Sequence, residues 1–167
     1  MSDSRSLTIV WEDPDIVSQA ARSMKGLEFL QKIASGEVPP PPIMRLINFQ
    51  GAEVSEGKVV FTCAPSEQHY SVLGMVHGGV AATLLDTSLG CSIHSMLPLG
   101  VSYTTLELHI NYVRPLTINT GVIRCEGEVI HVGRTVATAQ GRIVDATGKL
   151  YAHATTTCMI LRPTEAS

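Results

Sequence analysis

Val80 to Leu97 constrains this chain more than any other segment. It is apolar on almost every helical face and too long and too rich in Ala, Leu and Thr for a strand, and it stops at Pro98 and Gly100. A helix that is apolar all round must be enclosed by other elements. The sequence on both sides of it reads as strands. Met44 to Val54 and Lys58 to Ala64 flank the turn Ser55-Glu56-Gly57. After the helix, Tyr103 to Arg114 alternates until Pro115 closes it. Leu106, Leu108, Ile110 and Tyr112 fall on one face, and Thr105, Glu107, His109 and Asn111 on the other. Val122 to Val132, Thr135 to Val144 and Leu150 to Leu161 follow. Gly133-Arg134 and Asp145-Ala146-Thr147-Gly148 separate them, both short enough for antiparallel hairpins. The expectation is an α+β chain in which a curved antiparallel sheet of about six strands wraps around one central helix.

Residues 1–42 read as an N-terminal helical arm with a linker, and 43–163 as the main domain. Residues 1–23 carry no sustained pattern apart from a helix-compatible stretch, Ser18 to Met24. Gly26 to Ala34 has helical spacing, with Leu27, Leu30 and Ile33 on one face and Phe29 beside them. Gly36 is placed to stop that helix, and the run Pro39 to Pro42 cannot continue it, which leaves a stiff extended linker.

Composition narrows the function classes. The 167 residues are 44% hydrophobic and only 16% charged, which is rather apolar for a monomer of this size. Either a large core or burial between subunits accounts for this; the second implies a homo-oligomer, which is the expectation. Twelve basic against 15 acidic residues leave a net charge of −3 with no Lys/Arg run, so no phosphate-facing patch for nucleic acid is expected. No apolar run reaches the roughly 18 residues of a membrane span, and Met1-Ser2-Asp3-Ser4-Arg5 lacks a secretory profile. Cys63, Cys91, Cys125 and Cys158 sit in apolar contexts without a Cys-x-x-Cys pair and read as reduced core thiols. The expected location is cytoplasmic. The histidines, at 69, 77, 94, 109, 131 and 153, show no zinc spacing, so no metal site is expected.

The chemistry concentrates between His77 and Gly90. Gly78-Gly79 opens the long helix, where free backbone N–H groups favour negative charge and glycine admits a ligand closely. Such groups can hold a carbonyl oxygen as it becomes an oxyanion; an ordinary Gly-rich turn is the plainer reading. Asp86 is a lone carboxylate between Leu84-Leu85 and Leu89, and burying one without a partner is costly. It either serves chemistry, snorkels at the helix rim, or bonds to Thr83 or Thr87. Gly78 and Asp86 are eight residues apart, roughly 12 Å along one helix. To share a site they must come from different subunits, with two such helices antiparallel across a two-fold axis.

Val76-His77-Gly78-Gly79 with Asp86 nine residues after the histidine, Thr104-Thr105-Leu106-Glu107-Leu108 and Asn111-Tyr112-Val113-Arg114-Pro115 resemble the PaaI-type hotdog acyl-CoA thioesterases. Gly133-Arg134-Thr135, the stretch Asp145 to Ala152, and the arm with its prolines look like that family too, so the resemblance covers about residues 24–161. It implies the hotdog fold, hydrolysis of an acyl-CoA thioester to a carboxylic acid and CoA, and no cofactor beyond the CoA of the substrate. It implies a homodimer at least, with a homotetramer (a dimer of dimers) as the fuller expectation. By the resemblance, the Gly78 N–H polarises the thioester carbonyl, and Asp86 of the other subunit acts as nucleophile or as general base on water. His77 shapes the loop presenting Gly78, and Thr105, or its neighbour Thr104, positions water or the carboxylate. Substrate-binding candidates are Ser71, Gly79, His69, Gly133 and Arg134; Arg114 and Arg162 are weaker candidates for the CoA phosphates. For His69 an exposed loop position is the plainer reading, and for His94 a helix-end position. The chain departs from the family at Ser71, where Asn or Gln often contacts the thioester. Two rivals remain: a hotdog hydratase or dehydratase, and a non-catalytic acyl-CoA-binding module.

Overall fold

The computed structural model describes residues 4–163. Three short helices lead the chain: α1 (Pro14–Ser23), α2 (Gly26–Ser35) and α3 (Pro42–Leu46). Strands β1 (Phe49–Ser55) and β2 (Lys58–Cys63) precede the long helix α4 (Gly78–His94). Then come β3 (Ser102–Tyr112), β4 (Ile123–Val132), β5 (Val136–Asp145) and β6 (Leu150–Leu161). The six strands form one sheet in the order β1-β2-β4-β5-β6-β3, every neighbouring pair antiparallel. Helix α4 lies against it, with Leu84, Leu85, Leu89 and Ile93 fully buried among Ile123, Cys125, Ile143 and Cys158. The expected sheet wrapped on one helix is what the chain adopts.

Side-chain hydroxyls also tie α4 to the sheet. Ser88 donates to the carbonyls of Val59 and Cys125, both at 3.0 Å, and Ser92 accepts from the Val59 N–H at 3.1 Å. Ser95 accepts from the Gly57 N–H at 2.8 Å. The approach is close because Gly127 has no side chain; a Cβ there would lie 2.6 Å from the Ser88 carbonyl oxygen. Ser92→Ala strands the buried Val59 N–H and is expected to cost about 1–3 kcal/mol of unfolding free energy, read by urea denaturation.

A second apolar cluster joins the N-terminal segment to the sheet. Val17 of α1, Phe29 and Leu30 of α2, Val38 and Met44 bury against Val59 and Phe61 of β2. Helix α2 docks on the end of α4, where the Gly26 N–H donates to the Leu97 carbonyl at 3.1 Å. Gly36, at φ 83°, ends α2 as expected, in a left-handed conformation open to glycine.

Several expectations need correction. The strand expected from Met44 starts only at Phe49. Pro42, in the first turn of α3, suits a helix start, and Asn48 at φ 60° turns the chain into β1 while its amide donates to the Ala64 carbonyl at 3.1 Å. Helix α1 begins at Pro14 rather than Ser18, because Asp13 caps it by accepting from the Asp15 N–H at 3.0 Å. Helix α4 starts two residues before Val80 and ends at His94, the chain turning before Pro98. The alternation of β3 also breaks. Thr105 pairs with Cys158 but Glu107 with Thr157, so Leu106 is an unpaired bulge residue, 58% exposed. That extra residue puts Thr105 on the helix-facing side with Leu108 and Ile110, opposite to the parity expected from a regular strand.

Candidate active site

His77 is the N-cap of α4, and its Nδ1 accepts from the Gly79 N–H at 2.9 Å, so its neutral tautomer carries hydrogen on Nε2. The Val80 N–H donates to the His77 carbonyl at 2.9 Å. The Gly78 N–H is thus left without an acceptor among the described residues. Gly79, expected to bind substrate, has its amide engaged by His77 Nδ1, and a Cβ at this position would lie 2.9 Å from that nitrogen, so a larger residue would have to displace the capping imidazole. Tyr112, the last residue of β3, donates from its hydroxyl to the Gly78 carbonyl at 3.2 Å. The peptide joining Gly78 and Gly79 is therefore held at both ends. No spacing in the sequence links Tyr112 to Gly78; only the return of β3 past the start of α4 does.

Asp86 lies two turns further along α4, half-buried, and its Oδ1 accepts from the Thr105 hydroxyl at 2.9 Å. Thr105 rather than Thr104 makes this bond because the β3 bulge turns it inward. Thr83 and Thr87 donate instead to backbone carbonyls, at 2.9 and 2.7 Å. The neighbours of Asp86 stay protonated. Burial pushes the Cys91 thiol up to about 12, with the Asp86 charge adding to it. Burial also raises Cys158 and places Tyr103 well above the usual phenol range. Neither thiol is a ready nucleophile at neutral pH.

The other candidates divide by position. Ser71 sits in the loop before α4; its N–H donates to the Met75 carbonyl at 2.7 Å and its hydroxyl accepts from the Leu73 N–H at 3.4 Å. His69 is buried, only 5% exposed, so the exposed-loop reading was wrong. Its Nδ1 accepts from the Ser66 N–H at 3.2 Å, its carbonyl accepts from the His77 N–H at 2.8 Å, and burial lowers its pKa against the Leu46 carbonyl. His94 ends α4 against Phe29 and Tyr103. Gly133 and Arg134 form the β4–β5 turn, where the Gly133 N–H donates to the Val136 carbonyl at 2.8 Å and the Arg134 carbonyl accepts from Arg162 at 3.3 Å.

One chain brings these residues together in two groups, not one. Thr104 pairs with Met159 and Met159 with Val136, so the Arg134 turn lies two strand spacings across the sheet from the Ser102 end of β3, the end that carries Thr105. Gly78 lies against Tyr112 at the other end of β3, two turns of α4 or roughly 12 Å from Asp86. Among the described residues no three His, Cys, Asp or Glu side chains gather as metal ligands, and no helix is long and apolar enough to cross a membrane.

The family model of the thioesterase superfamily matches residues 73–152, which carry α4 and β3 through the start of β6. Human acyl-coenzyme A thioesterase 13 is 30% identical over 101 residues, 58% of this chain and 68% of that protein. A thioesterase from Ralstonia eutropha described as phenylacetic acid degradation-related superposes with a TM-score of 0.70 at 26% identity, covering 77% of this chain and 97% of that one. A Streptococcus pneumoniae thioesterase solved with coenzyme A gives 0.62 at 28% identity, covering 71% and 92%. The chain belongs to the thioesterase superfamily. Within it, this is a hotdog-fold protein of the PaaI-related kind, and an enzyme of the thioester hydrolase class.

Proposed function

We propose that the protein hydrolyses acyl-CoA thioesters in a site shared between two subunits of a homo-oligomer. The observation that carries this reading is the separation of the two groups along β3. Strand β3 is an 11-residue edge of the sheet, and an edge of that length needs a partner. A two-fold axis through its middle would set a second β3 antiparallel beside it. It would also bring Asp86, Thr105 and Arg134 of one subunit to Gly78, His77 and Ser71 of the other.

In such a site the free Gly78 N–H, at the positive end of α4, holds the thioester oxygen as charge develops on it. Asp86 attacks the carbonyl carbon, the C–S bond breaking to release CoA thiolate and leave an anhydride that water hydrolyses. Alternatively it takes a proton from the water that attacks, the C–S bond then breaking to give the carboxylic acid and CoA. Thr105 orients the carboxylate through its donated hydrogen bond. The superfamily membership supports the reaction class, and the relative solved with coenzyme A supports a CoA ester as substrate. Arg134, exposed in the β4–β5 turn, is the residue we assign to a phosphate of CoA bound across the axis, because guanidinium pairs well with phosphate oxygens.

Thiol release from a panel of acyl-CoA esters tests the reading, with hydration of an enoyl-CoA run beside it. Release of free CoA without hydration is the expected result. Hydration without release would favour a hydratase, and binding with neither would favour an acyl-CoA-binding module.

A further inference from the structure

The strand facing the β3 bulge carries buried polar side chains where it meets it. Thr156 of β6, only 3% exposed, pairs with Leu108, and its hydroxyl donates to the Glu107 carbonyl at 2.7 Å. In a regular ladder the carbonyls lie in the plane of the sheet and side chains stand off it, so a buried hydroxyl meets a cross-strand carbonyl where the backbone is kinked. Glu107 is where pairing resumes after Leu106, and a bulge kinks its strand there. Cys158, fully buried and paired with Thr105, fills the step between. Its thiol lies 3.9 Å from both the Thr156 and the Thr105 hydroxyl oxygens. A polar line thus runs along the helix-facing side of β6 and crosses to Thr105 and Asp86 Oδ1. Ala152, Ala154 and Ile160, buried on the same face of β6, are apolar.

We propose that Thr156 is a positioning residue for the hydrolysis: its hydroxyl pins the kinked backbone of the β3 bulge and so keeps Thr105 turned onto Asp86. The inference rests on the reading of Asp86 as the carboxylate that does the chemistry. Thr105 shares its parity with Glu107 and His109, both exposed, and reaches the helix-facing side only because the extra residue Leu106 follows it. Were the extra residue accommodated nearer Ser102, Thr105 would face outward and Asp86 would lose its donor. The run Thr104-Thr105-Leu106 has no glycine or proline to fix the bulge where it is. Thr156 supplies that constraint, since relaxing the kink would leave its hydroxyl buried without an acceptor.

The test is a mutant cycle on the full-length protein, read as steady-state thiol release from whichever of acetyl-, hexanoyl- and phenylacetyl-CoA the wild type turns over fastest. Thr156→Val keeps the shape and removes the hydroxyl; it is expected to lower kcat about tenfold with KM within about threefold of wild type. Thr156→Ser keeps the hydroxyl and is expected to stay within about twofold in kcat. Thr105→Val is expected to lose about tenfold or more, and adding Thr156→Val to it to cost less than about twofold further, because the second residue acts only through the first. Thermal melting checks that each variant is folded, and Thr156→Ala, which asks less of the packing, takes the place of Thr156→Val if that chain does not fold. Unchanged kcat in Thr156→Val would overturn the proposal, as would a serine variant as impaired as the valine one, or losses that multiply in the double variant. Asp86→Asn, run alongside, separates the two levels. Full activity there, or no release from any ester by the wild type, would overturn the reading of Asp86 and this inference with it. Loss of activity in Asp86→Asn with Thr156→Val unaffected would overturn the role of Thr156 alone.

Discussion

Asp86→Asn is expected to lower kcat by about 10³-fold while changing KM by less than about threefold. The substitution keeps the shape of the side chain and an oxygen that can accept the Thr105 hydroxyl proton, now seen at 2.9 Å. The half-buried setting at residue 86 is left as it was, so the melting temperature should stay close to that of the wild type. The carboxylate charge is what disappears, and both routes need it, to attack the thioester carbon or to remove a proton from water. No other group beside it can substitute: the Cys91 thiol is pushed up to about 12, and burial likewise holds Cys158 and Tyr103 in their protonated forms. Steady-state thiol release with purified protein measures the effect. Activity retained within tenfold would remove Asp86 from the chemistry.

Gly78→Pro should produce a loss of comparable kind through the opposite half of the site. Proline at the first position of a helix is well tolerated, because its fixed φ suits the helix and the missing N–H has no helical partner there. The preceding residue, His77, already has φ −61° and ψ 136°, the extended conformation that proline demands of its predecessor. The substitution therefore removes one backbone N–H, the one left free in the first turn of α4, with little other consequence for the fold. Loss of a single oxyanion donor typically costs about 10²–10³-fold in kcat. A drop in that range, with an unaltered circular dichroism spectrum, is the expected result. Unchanged turnover would mean that the Gly78 amide does not hold the reacting oxygen.

The wrapped-helix architecture was legible in the sequence because one run, Val80 to Leu97, was apolar on all faces and everything around it alternated. The hairpin turns at Glu56-Gly57 and Gly133-Arg134 were legible through their glycines and short spacing. Local features escaped where a side chain outweighed a pattern. Asn48 turned an expected strand into a short helix and a bend, and Asp13-Pro14 capped a helix whose own residues carry a weak signal. The bulge at Leu106 was invisible to periodicity, since one extra residue reverses the parity of everything before it. Yet it is the bulge that turns Thr105 towards Asp86. Of the candidate site, helix position and charge singled out Gly78 and Asp86 but left an ordinary Gly-rich turn and a rim or Thr-bonded carboxylate open; the roles expected of them came from the family resemblance. The occupied amide of Gly79, the burial of His69 and the hydroxyl of Tyr112 on Gly78 depend on contacts between distant segments, which spacing along a chain does not encode.

The most direct measurement concerns whether the two halves belong to different subunits. Gly78→Pro and Asp86→Asn chains, carrying different affinity tags, would be co-expressed and the mixed dimers purified through both tags. A site composed across a two-fold axis leaves each mixed dimer with one intact pair, Gly78 from one chain and Asp86 from the other. Such dimers are predicted to recover about half of the wild-type thiol release, although each parent is nearly inactive. Mixed dimers as inactive as their parents would contradict a shared site.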